Sequence, residues 1–367
     1  MLFRSVCLID PHGDLADSIA SLVPKHRTND VMLFDAGSDD MTIGFNPLAC
    51  SDPSRIDQVT SGVVSAMKKL YESWGPRLED TLRNAVFAIV ERGGNLMSVM
   101  QLLGDKEYRE QLVPLINDPV IRSFWVREFA SWSDNYRTEA VAAIQNKLRP
   151  FVVHSKIRAI VTHPSPALDC RKIMDEGRVL IASLSKGRLG EDNATLLGAL
   201  LVTSIQQAAM TRADIPESER RDFFLYVDEF QNFTTGSFAS ILSEARKYRL
   251  SLIVAHQYLS QLTDETAAAV FGNVGSIVAF QVGNDDAQRL AEQLGKYPGQ
   301  IAPENLTGLP KYTAYARLLV DGMPCSPFSM QTLPPPTNAI DPERAEIIRR
   351  VTQRNFGKAI HFADTKI

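Results

Sequence analysis

The sequence predicts an α/β protein: a mostly parallel sheet with helices on both faces, interrupted by an all-helical insertion. Three observations predict it. A strand–turn–helix–strand unit spans 6–37. Four nearly continuous apolar runs, 178–185, 223–228, 250–255 and 276–282, read as strands covered on both faces. Between these two groups, over roughly 53–168, apolar residues recur at three and four, and strand-like alternation is largely absent.

In the first unit, "VCLIDPHGDL" is an apolar run stopped by Asp10, Pro11 and Gly13. "DLADSIASLV" follows at helical spacing, and "VMLFDAG" closes the unit at Asp35 and Gly37. Strand, helix, strand at this spacing is a βαβ unit, which makes a parallel sheet. The insertion carries "IDQVTSGVVSAMKKLYESW", "LEDTLRNAVFAIVERG", "VIRSFWVREFASW" and "EAVAAIQNKLRPFV", each with helical periodicity. The α/β signal returns at "RVLIASLS". A long apolar-faced helix, "NATLLGALLVTSIQQAAMTRA", comes next. "FFLYVDEF", the helix "FASILSEARKYR", "LSLIVAHQ", "SIVAFQVG", "DAQRLAEQLG" and "YTAYARLLVDG" complete the pattern. The proline-rich "LPPPTNAIDPER" then leads to a polar, peripheral helix. The expected organisation is therefore 1–52 as the first part of an α/β domain, 53–168 as the all-helical insertion, 169–335 as the remainder of that domain, and 336–367 as a C-terminal tail helix.

Bulk properties narrow the functional classes. Hydrophobic residues make up 44% of the chain and charged residues 22%, the balance of a soluble globular protein. A net charge of −4 excludes a protein that passively coats a polyanion, although a local basic lining remains open. Cys7, Cys50, Cys170 and Cys325 are far apart, which argues against a zinc site or a disulfide framework and suits a reducing compartment. No apolar run approaches the roughly 20 residues needed to span a bilayer, and no secretory signal opens the chain.

The chemistry centres on "FFLYVDEFQNF", where an apolar strand delivers Asp228 and Glu229 to the sheet's carboxyl edge, the edge at which open α/β sheets bind ligands. In a nucleotide-hydrolysing site the first carboxylate holds Mg²⁺ through its water shell and the second orients the attacking water. Acids also end strands simply because the chain reaches solvent there. Gln257 ends the next strand, at the same edge, where an amide can contact a γ-phosphate or the attacking water. Its alternative is a strand-end amide bonded to loop backbone. On a helical wheel, Phe238, Ile241, Leu242, Ala245 and Arg249 share one face, and Arg246 lies on the flank. From there Arg246 can reach a neighbouring subunit's nucleotide, or it can simply complement the helix dipole. Asp10, His12 and Asp14 form a turn that is weak evidence for a metal. A phosphate loop, GxxxxGK[ST], is absent. The Gly–Lys pairs continue Gly295-Lys296-Tyr297 and Gly357-Lys358-Ala359, and no GxGxxG occurs.

Together "IDPHGDL", "WGPRLEDTLRNA", "MDEGRVLIASLSKGRLGED", "LYVDEFQNF", "SEARKYRLSLIVAHQYLSQL" and "LPKYTAYARL" resemble the motor domain of type IV secretion coupling proteins and related conjugative DNA-transfer ATPases (TraG/TraD-like) of the HerA/FtsK superfamily. The likeness covers most of 1–335. It implies a P-loop NTPase (RecA-like) fold, incomplete at its N-terminus, that binds ATP and Mg²⁺. Asp228 and Glu229 match the Walker B pair, with Asp228 holding Mg²⁺ through water. Gln257 matches the strand-end glutamine, and Arg246 the arginine acting across a subunit interface. Asp10 matches the Asp of the strand after the P-loop helix. The resemblance further implies a homo-hexameric ring that grips DNA without regard to sequence. Residues near 230–335 would dock relaxosome or secretion-channel proteins. The motor would be cytoplasmic, touching the membrane only through other segments or partners. Arg77, Arg83, Lys147, Arg149, Lys156 and Arg158 are candidate DNA contacts, each also explained by a solvated surface.

Only "MLFRS" precedes the strand "VCLID" that opens this motif, so the expectation is a chain cut just after the first helix of the family's motor. Lacking the P-loop and a central strand, residues 1–367 are expected to show no ATPase activity and to aggregate through unpaired edges. The competing readings are a non-hydrolysing relative that binds DNA or partners, and a metal-dependent α/β nuclease or hydrolase built on Asp10, His12 and Asp14. An in-frame GxxxxGK[ST] encoded upstream of Met1 favours the motor.

Overall fold

The computed structural model describes residues 4–71, 73–163, 166–235, 238–295, 301–336 and 339–359. The first residues of "MLFRS", and Lys296 and Tyr297 of one Gly–Lys pair, lie outside the described residues.

β1 (Ser5–Asp10) is buried at every position. Both carboxylate oxygens of Asp10 accept backbone N–H groups, from His12 and Ala16, each at 2.8 Å. These bonds, with Gly13 at φ 105°, turn the chain into α1 (Asp14–Ser21). β2 (Val31–Asp35) and the short β3 (Met41–Thr42) follow.

The chain is then helical: α2 (Ile56–Lys69), α3 (Pro76–Glu91), α4 (Leu96–Gly104), α5 (Lys106–Leu112), α6 (Pro119–Ser123), α7 (Asp134–Val153) and α8 (Ser155–Val161). Asn95, Asp105, Asp118 and Ser133 cap their helices by accepting first-turn N–H groups. A π-helical turn, Phe124–Phe129, packs Phe124, Trp125 and Phe129 into an aromatic cluster with Trp132.

After α9 (Cys170–Asp175) the sheet resumes with β4 (Val179–Ser183), and α10 (Lys186–Leu189) and α11 (Glu191–Thr211) follow. Next come β5 (Phe223–Val227), α12 (Phe238–Glu244), β6 (Leu250–Val254), α13 (Asp264–Asn273), β7 (Ile277–Ala279), α14 (Asn284–Leu294) and α15 (Pro303–Thr307). The chain ends in β8 (Thr313–Arg317), β9 (Leu319–Val320), β10 (Met323–Pro324), β11 (Phe328–Gln331), α16 (Pro342–Phe356) and β12 (Lys358–Ala359).

The main sheet is parallel throughout, in the order β2-β4-β1-β5-β6. One face, carrying Ile9, Phe34, Ala182 and Val227, shares a continuous apolar core with the insertion and α11. On the other face Leu8, Leu33 and Ile181 pack against Ala16 and Ala20 of α1 and Ile348 of α16.

Five details depart from the sequence reading. β7 does not join the parallel sheet. It pairs antiparallel with β8 in a separate sheet of order β11-β8-β7, so β6 ends the main sheet among the described residues. The runs at β5, β6 and β7 are not covered on both faces, because no described helix lies over Tyr226, Ile253 or Val278, which are 40%, 39% and 47% exposed. The helix read over 238–249 stops at Glu244 and tightens into a 3₁₀ turn, Ala245–Tyr248. The tighter period moves Arg249 off the apolar face: it takes φ 56°, and its guanidinium pairs with Glu217 and Asp222. The helical stretch Glu191–Asp214 is long and apolar enough to cross a membrane, since its Ala, Gly and Thr dilute but do not break the apolar run; here 78% of that window is buried in the core. Finally, α16 is not peripheral. Thr352 Oγ1 donates to the Val31 carbonyl and accepts from Leu33 N–H, both at 3.2 Å, so it closes the outer edge of β2. Buried Arg344 donates to the Val23 and Pro24 carbonyls and to Thr28.

Candidate active site

β1, β5 and β6 end in register, Ile9 beside Val227 and Val227 beside Val254. Everything immediately after them therefore emerges at one sheet edge. Asp228 leaves β5 with its N–H bonded to the Ile9 carbonyl at 3.1 Å. Its carboxyl is raised above the usual carboxylate range, chiefly by burial, with Glu229 and Asp10 adding to the rise and a backbone N–H bond opposing it.

Glu229 follows in the left-handed region, φ 47° and ψ 48°, a conformation that costs a non-glycine residue about 1–2 kcal/mol. This bend lets Phe230 N–H reach the Ala255 carbonyl at 3.0 Å and buries the Phe230 ring. It also turns the Glu229 side chain toward the end of β6. There Gln257 Nε2 donates to Oε1 at 2.6 Å, and Gln231 Nε2 donates to Oε2 at 2.5 Å. Glu229 is thus a carboxylate gripped by an amide on each oxygen. His256 packs edge-on against Phe230, ring centroids 5.1 Å apart, and burial lowers its imidazole below the ordinary value.

The structure brings Asp228, Glu229 and Gln257 together. Asp10 lies next to them, close enough to act on Asp228. Both of its oxygens serve the α1 turn, so its role here is to shape that turn. Arg246 stands apart, exposed on the 3₁₀ turn, with no side-chain hydrogen bond or ion pair among the described residues. Among the described residues, no group of three His, Cys, Asp or Glu side chains is arranged to hold a metal ion, and His12 and Asp14 belong to no such set.

The residue missed from sequence is Gln231. Its place two residues after Glu229 at the sheet's carboxyl edge was the available signal.

A polar cleft of about 530 Å³ lies elsewhere, over the ends of β1, β4 and β2, lined by His12, Asp14, Asp17, Asp35, Ser183 and Arg188. Glu229 and Gln257 are not among its lining residues.

The basic residues of the insertion are mostly occupied. Arg77 stacks over Tyr136 and Lys147 over Tyr71. Arg83 bonds Ser61, Arg149 bonds Gln145, and Arg158 donates to carbonyls at the end of α7. Lys156 ties the insertion to the α/β domain through the Gly37 carbonyl at 2.7 Å and Asp39 at 2.6 Å.

Residues 222–303 match a family model described as the TraM recognition site of TraD and TraG. No curated protein sequence matches the chain. The bacterial conjugative coupling protein TrwBdeltaN70, in its unbound form, superposes with a TM-score of 0.63 at 15% identity, covering 90% of this chain and 78% of that chain. TrwB in complex with ADP and Mg²⁺ gives 0.61 at 14% identity, covering 92% and 81%. VirB4 of Thermoanaerobacter pseudethanolicus gives 0.52 at 11% identity, covering 92% and 84%. Over residues 222–303 the chain is similar to TraD and TraG, and its fold is that of the TrwB structures, a mostly parallel sheet with helices.

Proposed function

We propose that this chain is motor machinery of an ATP-driven DNA translocase serving conjugation or type IV secretion. The observation that carries the proposal is Glu229, held by Gln231 and Gln257 beside half-buried Asp228 at the carboxyl edge of a parallel sheet. A carboxylate so placed orients water and takes up its proton.

Mg²⁺ with ATP, when bound, supplies the charge neutralisation and the reacting phosphoryl group. Asp228 fits the cation, because it shares this edge with the carboxyl groups of Glu229 and Asp10. The phosphates have no such fit in 1–367, because the sequence holds no phosphate loop. Hydrolysis at this edge therefore requires a loop from outside these residues. The bare face of β5 and the open edge of β6 suit a further strand and helix. Gln257 Nε2 now donates one of its two N–H groups to Glu229 Oε1. Donating it to a phosphate oxygen instead would free Oε1 to face water, which is how a sensor residue would act. Exposed Arg246 suits a contact across a hexamer interface, and 222–303 suits a relaxosome partner.

The test is hydrolysis of ATP with and without DNA. Residues 1–367 alone are expected to be inactive. With a strand, GxxxxGK[ST] loop and helix supplied, turnover is expected, and Glu229→Gln should lower kcat by about 100-fold or more. Turnover that survives Glu229→Gln overturns the proposal.

A further inference from the structure

We propose that Lys69, in the last turn of α2, is a positioning residue for Glu229, fixing from the helical insertion the loop that holds this carboxylate. Lys69 Nζ donates to the Gln231 carbonyl at 2.5 Å and to Thr234 Oγ1 at 2.9 Å. These bonds join positions 162 and 165 residues apart, crossing from the insertion to the loop after β5. Gln231 is the pivot. Its main chain is pinned by Lys69, and its side-chain amide holds Glu229 Oε2 at 2.5 Å. A shift of α2 against β5 would move the Gln231 peptide and withdraw one of the two amides from Glu229.

Neighbouring Lys68 shows what an ordinary helix-end lysine does: it stays exposed and pairs with Glu79 at 2.9 Å. Lys69 instead turns inward, and no described carboxylate forms an ion pair with it. Burial alone lowers its ammonium to about 7. Charge pairing is therefore not what keeps it there, whereas hydrogen bonding is. An amine retains two N–H donors after losing its proton, so both forms preserve the tie. The rest of the loop is anchored by buried Phe230 and Phe233, and Thr234 Oγ1 also donates to the Gln231 carbonyl at 3.2 Å, so Lys69 ties a closed polar turn to the insertion.

The consequence for hydrolysis rests on the motor reading, but the tie itself does not, and it is testable on residues 1–367 without nucleotide. Two readouts are the Gln231 side-chain amide resonance, assigned with Gln231→Glu, and amide hydrogen exchange of 232–235. In Lys69→Met that resonance should move to the position of a free glutamine, and exchange should quicken about tenfold while β5 and β6 stay protected. Lys69→Arg, which keeps donors, should restore both. An unmoved resonance with unchanged exchange in Lys69→Met overturns the proposal. Should Lys69→Met fail to fold, Thr234→Val removes one of its acceptors together with the Thr234–Gln231 bond and must produce a change in the same direction; no change there overturns it as well. Neither outcome bears on Glu229→Gln turnover, so the two proposals fail separately.

Discussion

A single row of side chains crosses the main sheet on one face: Leu33, Ile181, Leu8, Tyr226 and Ile253, each in register with the next. The first three are 5%, 0% and 6% exposed, and the last two 40% and 39%. The same pleat and the same apolar chemistry give opposite burial, because α1 and α16 cover only the β2-β4-β1 half. The covered half is finished, and even its outer edge is occupied by Thr352. The uncovered half ends in β6, whose outer edge pairs with no described strand, and it carries Asp228, Glu229 and Gln257. On the proposed function, stability and chemistry are thus divided between two halves of one sheet.

The largest effect that could break this contrast is on the covered half. Ile181→Ala removes a side chain with no exposure from the centre of the row and should destabilise by about 2–5 kcal/mol in urea unfolding. Ile348→Ala, on α16, should fall in the same range if that helix is a true wall of the core. A loss near zero for Ile348→Ala would return α16 to the peripheral place its polar sequence suggests.

Lys69 offers an intermediate test, in pH. Its ammonium is lowered from 10.5 to about 7 in the folded chain. Between those values the unfolded chain holds the proton more often than the folded one, so stability must rise with pH across that window. Below about 7 both states are protonated and the slope vanishes. Unfolding midpoints at pH 7 and pH 10 should therefore climb more steeply in the native chain than in Lys69→Met. Equal slopes would place Lys69 in solvent.

Much of this was legible in the sequence, and the reasons differ by feature. The strand carrying Asp228 and Glu229 was readable because an apolar run ended by acids has one common geometry at a parallel sheet's edge. Gln257 was readable from the same logic one strand later. The split of the β7 strand from the main sheet was not, because pairing partners are non-local and a short apolar run fits either sheet. Arg249 was misplaced because a helix that tightens to three residues per turn looks the same in sequence as one that does not. Lys69 gave no signal, since a lysine ending a helix is what the dipole already favours, and its partners are far away in the chain.

The smallest expected effect per site is the most discriminating. Tyr226→Ser combined with Ile253→Ser alters two apolar positions of the same row that Ile181 occupies. Since both are about two-fifths exposed, each substitution should cost less than one at a fully buried site, about 1–2 kcal/mol apiece. What should change is association: an uncovered apolar face beside an open strand edge invites other chains, so light scattering and binding of an apolar dye should both fall in the double variant. A cost per site comparable to that of Ile181→Ala would mean that the face is covered in solution, by a second copy of the chain. Concentration dependence of the unfolding midpoint separates the two cases, because only a face buried between copies makes stability rise with protein concentration.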